Sequence, residues 1–584
     1  MNILGISCYY HDSAAALIRD SKIIAASQEE RFTRKKHDEG FPHNAIKYCL
    51  KEGNLTGEDL DYVVFYDKPF IKFERLLQTY FATWPRSLKS YLKAIPVWIQ
   101  EKLWIANLIR DELNYEGELL FSNHHLSHAA SAFYVSPYKE AAILTIDGVG
   151  EWATSTEGIG KDLDIEIRRE LRFPHSLGLL YSAFTYYLGF KVNSAEYKVM
   201  GLAPYGEPKY VDKIMNELID VKEDGSIKMN MRYFAYDYGL KMTNENFDKL
   251  FGQPPRIPET ELTQFHKDMA ASLQRVTEEI MLKMAINLRK ETGMRYLCLA
   301  GGVALNCVAN GEILRRAGYD DIFIQPAAGD AGGALGAALV VNCGTLRLPR
   351  PEPLTDVFLG PEFSKEEILK TLKKFKAVYR EYEYDELIKE VAERIEKQHV
   401  VGWLTGRMEF GPRSLGTRSI LADARNKENW QKVNLKIKFR ESFRPFAPTV
   451  LEERVNEYFE LDRPSPYMLL VADVRKEIRE DKQRAVPSIT HVNNSARIQT
   501  INRKQNPIYY DLLKEFEKRT KCPVIINTSF NVRGEPIVCT PEDAYRCFMR
   551  THMDTLVLGP FILNKENQPS WHEEVDWRII YVPD

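Results

Sequence analysis

The chain has 584 residues, 44% of them hydrophobic and 28% charged, with a formal net charge of −3; that length calls for about two to four domains, and the composition is that of an ordinary globular enzyme. The near-neutral balance excludes bulk attraction to nucleic acid or to an anionic membrane and leaves only local basic clusters to consider. No apolar run approaches the roughly 18 residues of a membrane span, Asp12 interrupts any N-terminal leader, and the eight cysteines are scattered and never paired as CxxC; together these predict a cytoplasmic protein with reduced, mostly buried thiols.

In chain order, Asn2–Ser7 reads as a buried strand, Tyr9-Tyr10-His11-Asp12-Ser13 as a polar loop, and residues 14–18 and 23–27 as two further strands about the turn 19–22. The charged run 29–38, which contains Lys36, reads either as a solvated face or as a segment delivering a cation to a phosphate. A helix over 44–51 and a strand over 62–66 follow. The aromatic-rich stretch 77–113 has apolar residues at helical spacing and reads as packing or as a subunit interface, which admits a homodimer. In Asn123-His124-His125-Leu126-Ser127-His128-Ala129-Ala130 the alanines and leucine open a helix, so His124 and His128, four apart, share a face. Alone, such a pair more often caps and packs. Two aspartates change the balance: Asp147 ends the apolar run 141–146 and Asp330 follows the strand 322–324, each beside glycines. An acid at the end of a buried strand next to glycine lies in a cleft. Two imidazoles and two carboxylates form a mixed nitrogen/oxygen set suited to iron, manganese or zinc.

The run 141–167 repeats the opening pattern: a strand ending in Asp147-Gly148-Val149-Gly150, a second strand from Trp152, a turn over Gly158-Ile159-Gly160-Lys161 and a third strand over 165–167. Two such units predict a duplicated α/β core of the actin-like, ATP-binding kind. Residues 194–206, with Glu196 and Lys198, read as a surface ion pair before a tight turn or as a ligand contact. A long helix over 263–292 leads to the strand 296–300 and then to Gly301-Gly302-Val303-Ala304-Leu305-Asn306. That glycine pair lets backbone amides approach a ligand or lets helix and strand pack tightly; both readings stay open. Residues 208–260 are polar and aromatic, without a clear chemical signal.

Three prolines at 349–353 mark a linker, which gives domains over 1–345 and 384–584 joined by 346–383. In the second domain Gly411-Pro412-Arg413-Ser414-Leu415-Gly416-Thr417-Arg418-Ser419 and the segment 436–448 set cations among Gly, Pro and aromatics. Turns fix such charges as an oxyanion site needs, although surface ion pairs would also account for them. Arg497 and the segment Asn527-Thr528-Ser529-Phe530-Asn531 add donors.

Taken together, His11-Asp12-Ser13-Ala14-Ala15, the HxxxH pair, Asp147-Gly148, 198–206, 301–306, Gly329-Asp330, the Arg413 segment, Phe443-Arg444-Pro445-Phe446-Ala447-Pro448 and 527–531 resemble the O-carbamoyltransferases of nodulation-factor and antibiotic biosynthesis (aminoglycoside, cephamycin, novobiocin and ansamycin types). The resemblance covers nearly the whole chain. It implies an N-terminal actin-like (ASKHA) duplicated domain and a C-terminal α+β domain similar to threonylcarbamoyl-AMP synthases. It further implies that the C-terminal domain converts carbamoyl phosphate and ATP, with Mg2+, into carbamoyl-AMP, its anions held by Arg413, Lys438, Arg444, Arg497 and Ser529. The N-terminal domain then passes the carbamoyl group to a hydroxyl of a small-molecule acceptor, a sugar or a natural product. By the same resemblance His124, His128, Asp147 and Asp330 hold a divalent metal, iron first and manganese or zinc as alternatives. Glu196, Lys198, Gly301, Gly302 and Asn306 bind the nucleotide, and His11 and Lys36 are catalytic, His11 as base or positioning residue. A sugar kinase explains the duplicated core but neither the HxxxH pair nor the basic segments. A tRNA threonylcarbamoyl-transfer enzyme shares both domain types, yet the slightly acidic balance gives no tRNA-binding surface.

Overall fold

The computed structural model describes residues 1–439, 441, 443–444, 446–573 and 576–581; Arg440, Ser442 and Pro445 of the basic segment lie outside them. The chain forms two compact units, one of Met1–Glu29 with His37–Leu354, the other of Glu30–Lys36 with Thr355–Asp584.

The first unit holds two five-stranded sheets. One runs in the order Lys22–Gln28, Ala14–Arg19, Asn2–Ser7, Tyr62–Phe65, Glu118–Phe121, and the other Asp164–Arg172, Ala153–Lys161, Glu140–Ile146, Tyr296–Ala300, Asp321–Ile324. In both, the first three strands in sequence pair antiparallel and the last two add in parallel. The same order with the same senses is the duplication that the repeated strand–loop–strand–turn–strand pattern predicts. The fold is actin-like α/β. The turn expected at 158–161 is instead strand: Ala153–Lys161 is continuous and the chain reverses at Asp162, in the left-handed region with φ 51°. Gly158 and Gly160 are there for closeness, since a Cβ on them would lie 2.3 Å from the Glu166 carbonyl oxygen and 2.6 Å from the Phe133 ring.

Two short helices, His124–Phe133 and Asp330–Leu339, pack together in this unit. The second is almost all Gly and Ala, and at Gly336 a Cβ would meet the Ser127 carbonyl oxygen at 1.8 Å, so only glycine permits this approach. The long helix is Gln264–Thr292, ended by Gly293 with φ 66°.

The second unit is built on a nine-stranded mixed sheet in the order Arg380–Glu381, Phe561–Asn564, Thr555–Leu558, Val401–Leu404, Arg418–Asp423, Val524–Ser529, Ala447–Leu451, Ser495–Ile501, Leu470–Asp473, with helices such as Tyr384–Glu396 and Pro507–Thr520 beside it. The expected linker 346–383 is structured rather than free. Its first residues belong to the first unit, where the Arg350 guanidinium donates to the carbonyls of Phe133, Tyr134, Ser136 and Tyr138. Its remainder carries the helix Lys365–Lys374 and the edge strand Arg380–Glu381. The prolines mark a change of unit, but that satisfied guanidinium fixes the backbone around them.

The charged run 29–38 is no solvated face. Arg31 is buried and donates to the Gly411 carbonyl at 2.7 Å, and Phe32 packs against Met408, Ile537 and Cys539. Arg34 donates to the carbonyls of Pro536 and Ile537 and pairs with Glu535. All eight cysteines are free and buried, and no helix among the described residues is long and apolar enough to cross a membrane.

Candidate metal centre and anion site

His124 opens its helix after Asn123, and its backbone N–H donates to Glu151 at 3.0 Å. One turn on, His128 points the same way. Asp147 follows the strand Glu140–Ile146, and Asp330 is the first residue of the Gly/Ala helix. The four side chains converge, all buried. Nε2 of His124 lies 3.1 Å from Oδ2 of Asp147, 3.1 Å from Nε2 of His128 and 3.7 Å from Oδ1 of Asp330. Nε2 of His128 lies 3.9 Å from Asp147 and 3.7 Å from Asp330. Metal–ligand bonds of about 2.0–2.2 Å put neighbouring donor atoms roughly 3–3.5 Å apart, and the observed spacings are of that size or slightly wider. Oδ1 of Asp330 is fully buried without a hydrogen bond; a cation among the four donors would satisfy it. The residues fit a divalent metal.

The electrostatics agree. Burial pushes the His124 imidazole well below its ordinary pKa, helped by His128 and Lys72, which keeps it neutral as a ligand must be. Burial would raise Asp147, but the hydrogen bonds of His124 and His128 outweigh it and hold the carboxyl well below the usual range. Burial pushes Asp330 up to about 6, against the pull of His11. Two carboxylates enclosed this closely repel, and a dication offsets that.

Further residues stand around this cluster. Tyr66, just past the strand Tyr62–Phe65, donates to Oδ2 of Asp330 at 3.2 Å. Gly302 donates its N–H to Oδ1 of Asp147 at 3.0 Å, and Gly301, with φ 89°, would carry a Cβ 2.3 Å from the Ile146 carbonyl oxygen. The glycine pair thus braces a metal-ligand candidate. His11 and His37 share Asp12, at 3.0 and 2.7 Å. Against the cost of burial, the carboxylates of Asp330 and Asp12 raise the His11 imidazole to about 10, so it carries a proton at neutral pH.

The other candidates fall as follows. Glu196 begins the helix Glu196–Leu202 and accepts from Ser182 and the Asn193 N–H; Lys198 on that helix is fully buried, 5.5 Å from the Phe190 ring centroid. Asn306 caps the helix Cys307–Arg316 and exchanges hydrogen bonds with Gln274. Cys307 Sγ lies 3.8 Å from Met200 Sδ, which sets those two helices side by side. Lys36, expected to be catalytic, is the last residue of a segment that Arg31, Phe32 and Arg34 anchor in the second unit, and the next residue, His37, is the one that shares Asp12 with His11.

In the second unit the five expected residues gather at one end of the sheet. Ser419 pairs with Ser529, and Ala447 with Asn527, both antiparallel. The strand of Arg497 runs parallel to that of Ala447, with Thr449 opposite Gln499. The end of Val524–Ser529 therefore adjoins the starts of the strands that follow Arg413 and Arg444 and the start of the strand that holds Arg497. Lys438 reaches the same end, its ammonium donating to Ser529 O at 2.6 Å and Oγ at 3.1 Å, and to Asn531. Arg444 and Arg533 flank Glu441, at 3.9 and 3.2 Å, and Arg533 is a cation that the sequence reading missed. Arg418 is structural, buried and spent on the carbonyls of Pro361, Thr405, Gly406, Thr417 and Cys539.

Residues 2–339 match the model of the carbamoyltransferase N-terminus and residues 392–565 that of the carbamoyltransferase C-terminus. The chain belongs to the carbamoyltransferase family. Among similar proteins of this family, nodulation protein NolNO of Sinorhizobium fredii is 38% identical over 95% of this chain and 79% of its own length. Nodulation protein NolO of Bradyrhizobium diazoefficiens is 40% identical over 76% of this chain and 79% of its own. A Synechocystis protein, sll1178, is 55% identical over 99% of both chains.

Proposed function

We propose that this transferase works in two steps, on two sites. In the second unit, water cleaves the phosphate from carbamoyl phosphate, before or after its carbamoyl oxygen attacks the α-phosphorus of ATP; carbamoyl-AMP forms, and phosphate and pyrophosphate leave. In the first unit an acceptor hydroxyl attacks the carbamoyl carbon, the bond to the AMP oxygen breaks, and an O-carbamoyl product and AMP result. The observation that carries the reading is the buried convergence of His124, His128, Asp147 and Asp330. A divalent metal, iron first with manganese or zinc as alternatives, would be held by these four residues and would supply Lewis-acid polarisation of the carbamoyl carbonyl. The chain does the rest. Tyr66 and the Gly302 amide fix the two carboxylates, and the Glu196–Leu202 helix with the 301–306 turn supports the nucleotide. Asp12 orients His11, whose imidazolium stands ready to position the acceptor oxygen or to protonate the departing phosphate. The cations at the end of the second sheet, Arg413, Lys438, Arg444 and Arg497 with the Ser529 hydroxyl, hold phosphate oxygens.

The test is product analysis. With ATP, Mg2+ and carbamoyl phosphate the enzyme should form carbamoyl-AMP and release pyrophosphate, and with candidate hydroxyl compounds it should release AMP while mass spectrometry finds an added carbamoyl group. ADP as product would make it a kinase and sink the reading.

A further inference from the structure

One buried charge has no hydrogen-bond or ion-pair partner among the described residues. Arg75, on the helix Pro69–Ala82, is 7% exposed. A guanidinium offers five donors, yet among the described residues none makes a hydrogen bond or ion pair, and Nε is fully buried. The ring of Phe173 lies 5.0 Å from the guanidinium carbon. Other buried arginines behave differently: Arg256 reaches the carbonyls of Leu188, Gly189 and Thr260, and Arg418 those of five residues. Lys72, one turn before Arg75 on the same face, is paired with Asp67. Burial lowers the Arg75 pKa to about 10 although Tyr10 and Glu151 oppose it, so nearby acids do not repay the lost hydration.

Its position gives the vacant donors a use. The Lys72 ammonium lies 5.6 Å from the Tyr10 ring and 5.7 Å from the Tyr66 ring, and Tyr66 holds Asp330; Arg75 is the next turn outward. On its other side Phe173 meets Tyr236 at 6.1 Å. Ser90 donates to the Tyr238 carbonyl, and the Arg86 guanidinium lies 4.4 Å from the Tyr238 ring. The aromatic stretches 77–113 and 208–260 therefore meet around this arginine.

We propose that Arg75 binds an oxyanion (carboxylate, sulfate or phosphate) carried by the substrate that lies beside the metal centre. Its source is either an acid group on the hydroxyl acceptor or the phosphate of the carbamoyl adenylate. The inference rests on the transfer reading above, but its test does not require turnover: absence of AMP and pyrophosphate in the wild type would sink that reading and leave the anion measurement standing.

The experiment uses the metal-loaded full chain, as wild type, Arg75→Gln and Arg75→Lys, in thermal unfolding with sulfate against chloride at constant ionic strength. Without sulfate the glutamine variant should be at least as stable as wild type, because an uncompensated buried charge is gone. Sulfate should stabilise the wild type at concentrations about ten- to a hundredfold lower than it does the glutamine variant, the loss expected for one charge-assisted contact, with the lysine variant between them. The second unit's anion site contributes equally to all three and cancels. If saturating AMP abolishes the Arg75-dependent response, the site takes the nucleotide phosphate; if the response persists, it takes the acceptor's acid group. Identical sulfate responses in wild type and Arg75→Gln would overturn the proposal. A glutamine variant that is less stable without sulfate would also overturn it, by making Arg75 a structural cation.

Discussion

His128 supplies one of four convergent donors in the first unit, whereas the residues proposed to hold phosphate belong to the second. His128→Ala should therefore lower metal content and carbamoyl transfer at least as far as the about 10- to 100-fold typical of lost supporting contacts. Carbamoyl-AMP and pyrophosphate should still form from ATP and carbamoyl phosphate. Metal analysis of the purified variant decides the first point and a pyrophosphate assay the second; wild-type metal content would remove this histidine from the site. A second residue sets a pH dependence. Burial lowers Lys565 to about 8 from its ordinary 10.5. Between those values the unfolded chain holds a proton that the folded one does not, so this group makes stability rise with pH through the window. The penalty is full below pH 8 and gone above 10.5. Lys565→Met should remove that rise, read as the wild-type-minus-variant difference in denaturant midpoints at pH 7.5 and 10.

At the scale of elements, Gly336 is what lets the Asp330 helix approach the histidine helix. Gly336→Ala should cost about 1–3 kcal/mol by overpacking and weaken metal binding, although no ligand is changed. A variant with wild-type melting temperature and metal content would show that the helices part without consequence. This scale also shows what was legible beforehand. The i, i+4 histidines and the strand-end aspartates could be found because helix and strand spacing alone sets their directions. Tyr66 and Glu151 could not, since each meets the centre only through the pairing of distant segments. Gly158 and Gly160 were misread as a turn because a glycine serving a close approach looks, locally, like one that serves a bend. The cations of 411–419 looked alike in sequence, yet Arg418 is consumed by backbone carbonyls that only the folded sheet brings together.

For the molecule as a whole, a division of labour predicts separable defects. Arg444→Ala should abolish or greatly slow formation of AMP and pyrophosphate, losing about 1.5–3 kcal/mol of charge-assisted binding, while transfer from carbamoyl-AMP supplied ready-made should survive. Equal failure of both assays in a folded variant would rule out two independent sites. The seven residues Glu30–Lys36 bear on a different matter, the inheritance of such a protein. They belong to the second unit but are encoded within the first; Arg31, Phe32 and Arg34 bind Gly411, Ile537 and the apolar cluster of Met408, Ile537 and Cys539. A recombination event that moves only the downstream half of the gene delivers a folding unit with a missing plug and with Glu535 stripped of one of its cations. The C-terminal half moved by itself should unfold at lower denaturant than the same half supplied with residues 30–36.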